Sequence, residues 1–201
     1  MHGLWVNGMD MSLLRRRLQS NYTTYQFSYN SVASTPAENA EKLQKFISSI
    51  EADSIHFVAH SLGGLVVRYL FDRYPDQKPG RIVTLGTPHR PSHSAFQLSK
   101  CMATKFLLGK SINDGLLGEV PDWPSSYELG SIAGTLRFGM GVVIPGLVLP
   151  NDGTVSVEET RLEGMSDHLT VACSHLGLLL SSTVFRAIDS FLQNGHFEAT
   201  A

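Results

Sequence analysis

The chain has 201 residues, 42% of them hydrophobic and 17% charged, with a formal net charge of −2. This reads as one soluble globular domain, able to bury about 70% of its unfolded surface. No basic excess points to nucleic acid, and no apolar run approaches the ~20 residues of a membrane span. The two cysteines, Cys101 and Cys173, form no disulfide framework and sit in no Cys/His cluster. Both therefore read as buried small hydrophobes rather than redox or metal groups. The N-terminus lacks the apolar region of a signal peptide, so the chain as written reads as cytoplasmic.

In chain order, Asp10 to Gln19 predicts a helix with Leu13, Leu14 and Leu18 inward and Arg15, Arg16 and Arg17 in solvent. Tyr22 to Tyr29 predicts a strand with alternating aromatics at Tyr25, Phe27 and Tyr29. Thr35-Pro36-Ala37-Glu38 is a helix start: Thr35 as N-cap, Pro36 in the first turn, Glu38 closing a capping box. That helix runs to about Ile50, with Leu43, Phe46, Ile47 and Ile50 inward.

Ile55 to Val58 is a short apolar run, as a buried parallel strand would be. Ala59-His60-Ser61-Leu62-Gly63 then makes a tight turn. Small residues two positions before and after a serine suit a sharp strand-to-helix turn, where the backbone approaches itself. Leu65 to Tyr74 continues as a helix, ended by Pro75, whose N-terminus stabilises negative charge near Ser61. Arg81 to Leu85 is the next strand and ends in Gly86-Thr87-Pro88-His89. This alternation predicts an α/β fold with a mostly parallel sheet and helices on both faces. In such sheets, sites lie at the carboxyl ends of the strands.

Residues 91–130 break the rhythm. Ala95 to Leu108 reads as helical, with Phe96, Leu98, Met102, Phe106 and Leu107 apolar. The segment reads either as a cap-like insertion over the site or as a crossover helix with a surface loop. Leu129 to Ala133 predicts a strand. Gly139 to Pro150 is apolar and rich in Gly and Pro, fit for an acyl pocket or a core-packed loop. Asn151-Asp152-Gly153-Thr154-Val155 is a turn, His168 to Ala172 a last strand, and Leu176 to Leu192 a closing helix.

Ser61, Asp152 and His175 thus follow strands, in that chain order. A serine hydroxyl needs an imidazole as general base, and the imidazole needs a carboxylate to fix its tautomer. The order Ser, Asp, His is that of α/β hydrolases. The chain resembles the small bacterial lipase/esterase-like branch of that superfamily. The resemblance rests on His2-Gly3-Leu4-Trp5, Ala59-His60-Ser61-Leu62-Gly63-Gly64, Leu85-Gly86-Thr87-Pro88-His89, Asn151-Asp152-Gly153-Thr154-Val155 and Ser174-His175, which span nearly the whole chain. It implies Ser61 as nucleophile, His175 as base, Asp152 as its partner, and an oxyanion hole from the backbone N–H groups of Leu4 and Leu62. The implied reaction is hydrolysis of carboxylic esters, of lipid or short acyl chains, through an acyl-enzyme without cofactor or metal. Acyl transfer on the same triad and a non-catalytic binding protein of this fold are the alternatives.

Other residues compete less well. His168, after Asp167, reads as the start of its strand, away from the site. His60 and His89 read as structural or rim residues. His89 and His93 are separated by Pro91 and lack a zinc-binding pattern. Asp114 and Asp122 lack the Asp-Gly-x-Val context of Asp152. The chain also departs from the family: Ala59 stands for a glycine, and Arg90-Pro91 follows His89. Family members carry an apolar strand before His-Gly, whereas His2 is here the second residue. The resemblance therefore implies a sheet lacking that strand, either left out of the sequence or absent from the protein. A chain folding as written is expected to have a frayed Leu4 loop and weakened catalysis.

Overall fold

The structure, a computed structural model, describes residues 1–100, 106, 108–112, 114–124, 126–139 and 145–198. Its centre is a sheet of four parallel strands in the order β1-β2-β3-β4: Phe57–His60, Ile82–Leu85, Leu129–Gly134 and Asp167–Val171. The register pairs Phe57 with Ile82, Ile82 with Leu129, and Gly130 with Asp167. Helices α1 (Ser12–Leu18), α2 (Pro36–Ser48), α3 (Leu62–Arg73), α4 (His93–Ser99) and α5 (Ser182–Asn194) surround it.

Strand alternation assigns each side chain to one face. Phe57, Ala59, Ile82 and Leu129 pack with α2 and α3, through Leu43, Ile47, Val66 and Leu70. Val83, Leu85 and Ile132 pack with α1 and α5, through Leu14, Leu18, Ile188 and Phe191. Every residue of β2 and β3 is buried, as the apolar run of a sheet covered on both faces requires. The predicted capping box starts α2: the Glu38 amide donates to Thr35 Oγ1 at 3.1 Å, and the Thr35 amide to Glu38 Oε2 at 3.0 Å. Such a cap contributes about 1 kcal/mol.

Several expectations change. Tyr22 to Tyr29 forms no strand. Tyr25 and Phe27, two apart, would share one face of a strand, yet Phe27 is buried and Tyr25 exposed, and a strand also needs a backbone partner. The first predicted helix begins as a 3-10 turn (Met9–Met11), and Leu13 faces solvent while Leu14 and Leu18 are buried. The last helix starts at Ser182, six residues later than expected, after a 3-10 turn at Gly177–Leu179. Helix α4 is short, and Phe96 and Phe106 are exposed rather than packed. The expectations for Cys101, Met102 and Leu107, and for 140–144 of the apolar Gly/Pro segment, lie outside the described residues. Cys173 is half-buried rather than buried. Among the described residues, no helix is long and apolar enough to cross a membrane.

Candidate active site

Ser61 joins β1 to α3 with φ 53° and ψ −124°, a conformation that L-residues with a side chain rarely adopt. The turn is held from several sides. The Ser61 amide donates to Leu85 O at 2.9 Å, and the Thr87 hydroxyl donates to Ser61 O at 2.8 Å. The small residues of the motif have specific neighbours. A side-chain carbon at Gly64 would strike Thr87 Oγ1 at 2.3 Å, and one at Gly63 would stand 2.8 Å from His2 O. The second position after the serine is thus kept small by the backbone of His2, not by the serine strand itself. Leu62 opens α3, so its amide has no acceptor within the helix.

The loop expected to fray is tied at several points. Met1 N donates to Val58 O at 2.7 Å, and the His60 amide to Met1 O at 3.0 Å. The fully buried His2 stacks on Tyr29 with ring centroids 4.2 Å apart. Its Nε2 accepts the Tyr29 amide at 3.1 Å, which leaves the ring proton on Nδ1 to donate to Gly3 O at 2.8 Å. The Tyr29 hydroxyl donates to His2 O, and the Trp5 amide to Ser31 Oγ. Gly3 consequently lies against the nucleophile: a side-chain carbon there would stand 3.0 Å from Ser61 Cβ and 3.5 Å from Ser61 Oγ. Leu4, next along, packs into the cluster containing Leu62.

Asp152 is fully buried. Its Oδ1 accepts the amides of Thr154 at 2.8 Å and Val155 at 2.7 Å, and its Oδ2 bonds His175 Nδ1 at 2.6 Å. A backbone bond from His175 N to Asp152 O, 2.9 Å, doubles the link between the two loops. The ring of His60 lies 4.6 Å from that of His175, and its Nε2 donates to His175 O at 3.1 Å. Residue 86 closes the other side. With φ 54°, Gly86 brings its backbone so near that a side-chain carbon would stand 3.0 Å from both Asp152 Oδ2 and His175 Nδ1. The structure brings Asp152 and His175 into contact at the carboxyl ends of the strands, sets the His60 ring, next in sequence to Ser61, against His175, and puts Gly3 against Ser61.

The sequence gives Gly86 and Thr87 no individual role, and His60, read there as a structural or rim residue, has its ring against His175. Gly86-Thr87 was visible only as part of a motif, because the close approach that needs a glycine is a tertiary contact. The competing residues take other places. His168 is the second residue of β4 and its Nε2 meets Thr160 Oγ1 at 2.9 Å. Asp167 accepts the amides of His168 and Phe197. His89 Nε2 faces Thr84 Oγ1, whereas His93 Nε2 faces Pro145 O. Asp114 and Asp122 lie in the segment between β2 and β3, outside the cluster.

Burial holds the pKa values of His60 and His89 well below the ordinary 6.5, with neighbouring His175 and Arg68 adding to the effect, respectively. Both stay neutral in the folded chain while the unfolded chain takes up protons from about pH 6.5 downward. Stability is therefore present above pH 6.5 and lost as the pH falls. Each histidine contributes a slope of about 1.4 kcal/mol per pH unit once well below that value. Urea unfolding between pH 7.5 and 5.5 is expected to show stability falling before carboxylates titrate. His89→Asn, which keeps a polar group near Thr84, is expected to flatten that fall.

Comparison with known proteins agrees with this frame. Residues 7–99 match the model of a domain of unknown function, DUF7379. No match is found among curated proteins. Among solved structures, the mature lipase BlEst2 of Bacillus licheniformis superposes with a TM-score of 0.68 at 15% identity, over 97% of this chain and 89% of that one. The phospholipase PlaB of Legionella pneumophila gives a TM-score of 0.69 at 18% identity, over 94% of this chain but 55% of its own. The carboxylesterase CesB of Bacillus subtilis gives 0.60 at 13% identity, over 97% and 82%. With its parallel sheet, helices on both faces and strand-to-helix turn at Ser61, this chain has the α/β-hydrolase fold.

Proposed function

We propose that this protein is a serine hydrolase that cleaves carboxylic esters through an acyl-enzyme on Ser61. The observation that carries the reading is the 2.6 Å bond between Asp152 and His175 Nδ1, beside a serine in a strained turn. With Nδ1 committed to the carboxylate, Nε2 is the nitrogen left to take a proton. Ser61 Oγ attacks the ester carbonyl carbon as its proton passes to Nε2. The carbonyl oxygen becomes an oxyanion, for which the amides of Leu4 and Leu62 are the donors. Such a donor contributes roughly 3–4 kcal/mol in acyl transfer. Collapse expels the alcohol, which takes the proton from Nε2. Water then repeats the cycle on the acyl-enzyme and releases the acid.

The surroundings favour an apolar ester. Leu176, next to His175, and Trp5, next to Leu4, are exposed, as is Phe138, whose carbonyl packs on Gly153 beside Asp152. The solved relatives named lipase, phospholipase and carboxylesterase lend the same class, without fixing chain length.

The test is covalent labelling with a fluorophosphonate, run beside hydrolysis of p-nitrophenyl butyrate. The expected result is one adduct, located by peptide mass spectrometry at Ser61, with loss of turnover in proportion. A folded protein that takes no label and turns over no ester would overturn the proposal.

A further inference from the structure

A histidine carries a backbone amide, a backbone carbonyl and two ring nitrogens, and in His175 all but Nε2 are bound. Its Nδ1 bonds Asp152 Oδ2, and its amide donates to Asp152 O. Its carbonyl oxygen accepts His60 Nε2 at 3.1 Å. The 3-10 turn at Gly177–Leu179 passes over that carbonyl, since the Leu178 amide donates to Ser174 O and the Leu179 amide to Leu176 O. The backbone of the base is thus held by a ring from another element.

That ring is itself firmly placed. His60 ends β1, in register with Leu85, and directly precedes Ser61. Its ring centroid lies 4.6 Å from that of His175, and a side-chain carbon at Gly3 would stand 3.2 Å from its Nδ1. A carbonyl only accepts, so the ring proton is on Nε2. Nδ1 is then a bare acceptor, buried with no partner among the described residues. A phenyl ring would fill the same space without that unpaired nitrogen, which costs stability. The bond to His175 O is therefore what the imidazole adds. Burial, with His175 beside it, keeps the ring neutral, so it does not repel an imidazolium formed at His175.

We infer that His60 is a positioning residue: from the place next to the nucleophile, its Nε2–H grips the backbone carbonyl of His175 and sets how far the base stands from Ser61. This role rests on the ester-hydrolase reading proposed above. Asp152 and His60 divide the work on one residue. Asp152 binds Nδ1 and the amide, which decides the nitrogen that faces the serine. His60 binds the carbonyl, which ties the base to the serine's own backbone. A misplacement of about 1 Å between reacting groups lowers a rate on the order of 100-fold, so one bond to the backbone of the base has a measurable effect.

Two variants of the full chain separate this role from packing. His60→Phe keeps a ring and loses the donor, whereas His60→Gln loses the ring and carries an amide N–H to the place of Nε2. His60→Phe is expected to lower kcat for p-nitrophenyl butyrate by about 30-fold with KM within about twofold, and His60→Gln to stay within about threefold of wild-type kcat. The thermal midpoint is expected to run the other way, with phenylalanine at or above glutamine. A merely structural role does not put activity and stability in opposite order. Wild-type kcat in His60→Phe, or kcat losses that follow the midpoints, overturn the role. Should neither variant fold, nitrogen NMR of the wild-type His60 ring near neutral pH decides. A protonated Nε2 with a bare Nδ1 is expected, and the opposite tautomer or a charged ring overturns the role. A folded wild type that takes no fluorophosphonate and turns over no ester is instead a failure of the ester reading, seen without any variant.

Discussion

Replacing Ser61 with alanine is expected to lower kcat/KM for p-nitrophenyl butyrate by about 10⁵-fold, because no covalent bond to the acyl carbon can form. The residue left over is what the amide donors and binding alone supply. Replacing it with glycine is expected to remove the same activity while changing stability in the opposite sense. At φ 53° and ψ −124°, a side-chain carbon costs roughly 1–3 kcal/mol, and alanine keeps that cost. Glycine removes it but loses roughly 0.5–1 kcal/mol more in unfolded-state entropy. The glycine variant is therefore expected to unfold about 1 kcal/mol later than the alanine variant, roughly 2–4 °C in thermal midpoint. An alanine variant that keeps a hundredth of the activity removes Ser61 as nucleophile. A glycine variant no more stable than alanine removes strain from the argument. The strain is sustained by Thr87 and Leu85, which bind the serine backbone on both sides.

That turn was legible in the sequence because its requirements are local. An apolar run, a serine between small residues and a helix pattern sit within twenty positions. The strands at Ile82–Leu85 and Leu129–Gly134 were legible for the same reason, being apolar runs bounded by polar or turn residues. Asp152 and His175 were found by order and by the turn around each, and the structure places them in contact. What the sequence did not carry were contacts between distant segments. Tyr25, Phe27 and Tyr29 recur two apart as one face of a strand does, but that spacing does not report whether a backbone lies alongside, and Tyr25 is exposed where Phe27 is buried. His60 reads as a structural or rim residue, and only the structure sets its ring against His175. Gly86 reads as a turn glycine until the Asp152 carboxylate is seen to fill the space of its missing side chain. The helix expected before Ser182 does not form for a different reason: Leu176 and Leu180 fit the helical period, yet both face solvent.

Asp152→Asn is expected to lower kcat by about 10⁴-fold with little change in KM, and the surrounding bonds explain why so small a change would have so large an effect. Oδ1 accepts two amides, from Thr154 and Val155, so an asparagine must turn its carbonyl oxygen to them. Its NH2 group then faces His175 Nδ1, where Oδ2 stood at 2.6 Å. A donor there requires Nδ1 to accept, which puts the ring proton on Nε2. The nitrogen that should take the Ser61 proton is then already protonated. The variant also lacks the negative charge that stabilises the imidazolium formed during attack. Because the two loop amides remain satisfied, the fold should persist, with unchanged circular dichroism. Asp152→Ala behaves differently: it leaves the Thr154 and Val155 amides without an acceptor, at about 1–3 kcal/mol each, and should lose stability along with activity. Measuring turnover and urea unfolding on both variants separates the two roles of one carboxylate. An asparagine variant retaining a tenth of the wild-type kcat would mean that Asp152 holds the loop but does not set the tautomer of His175.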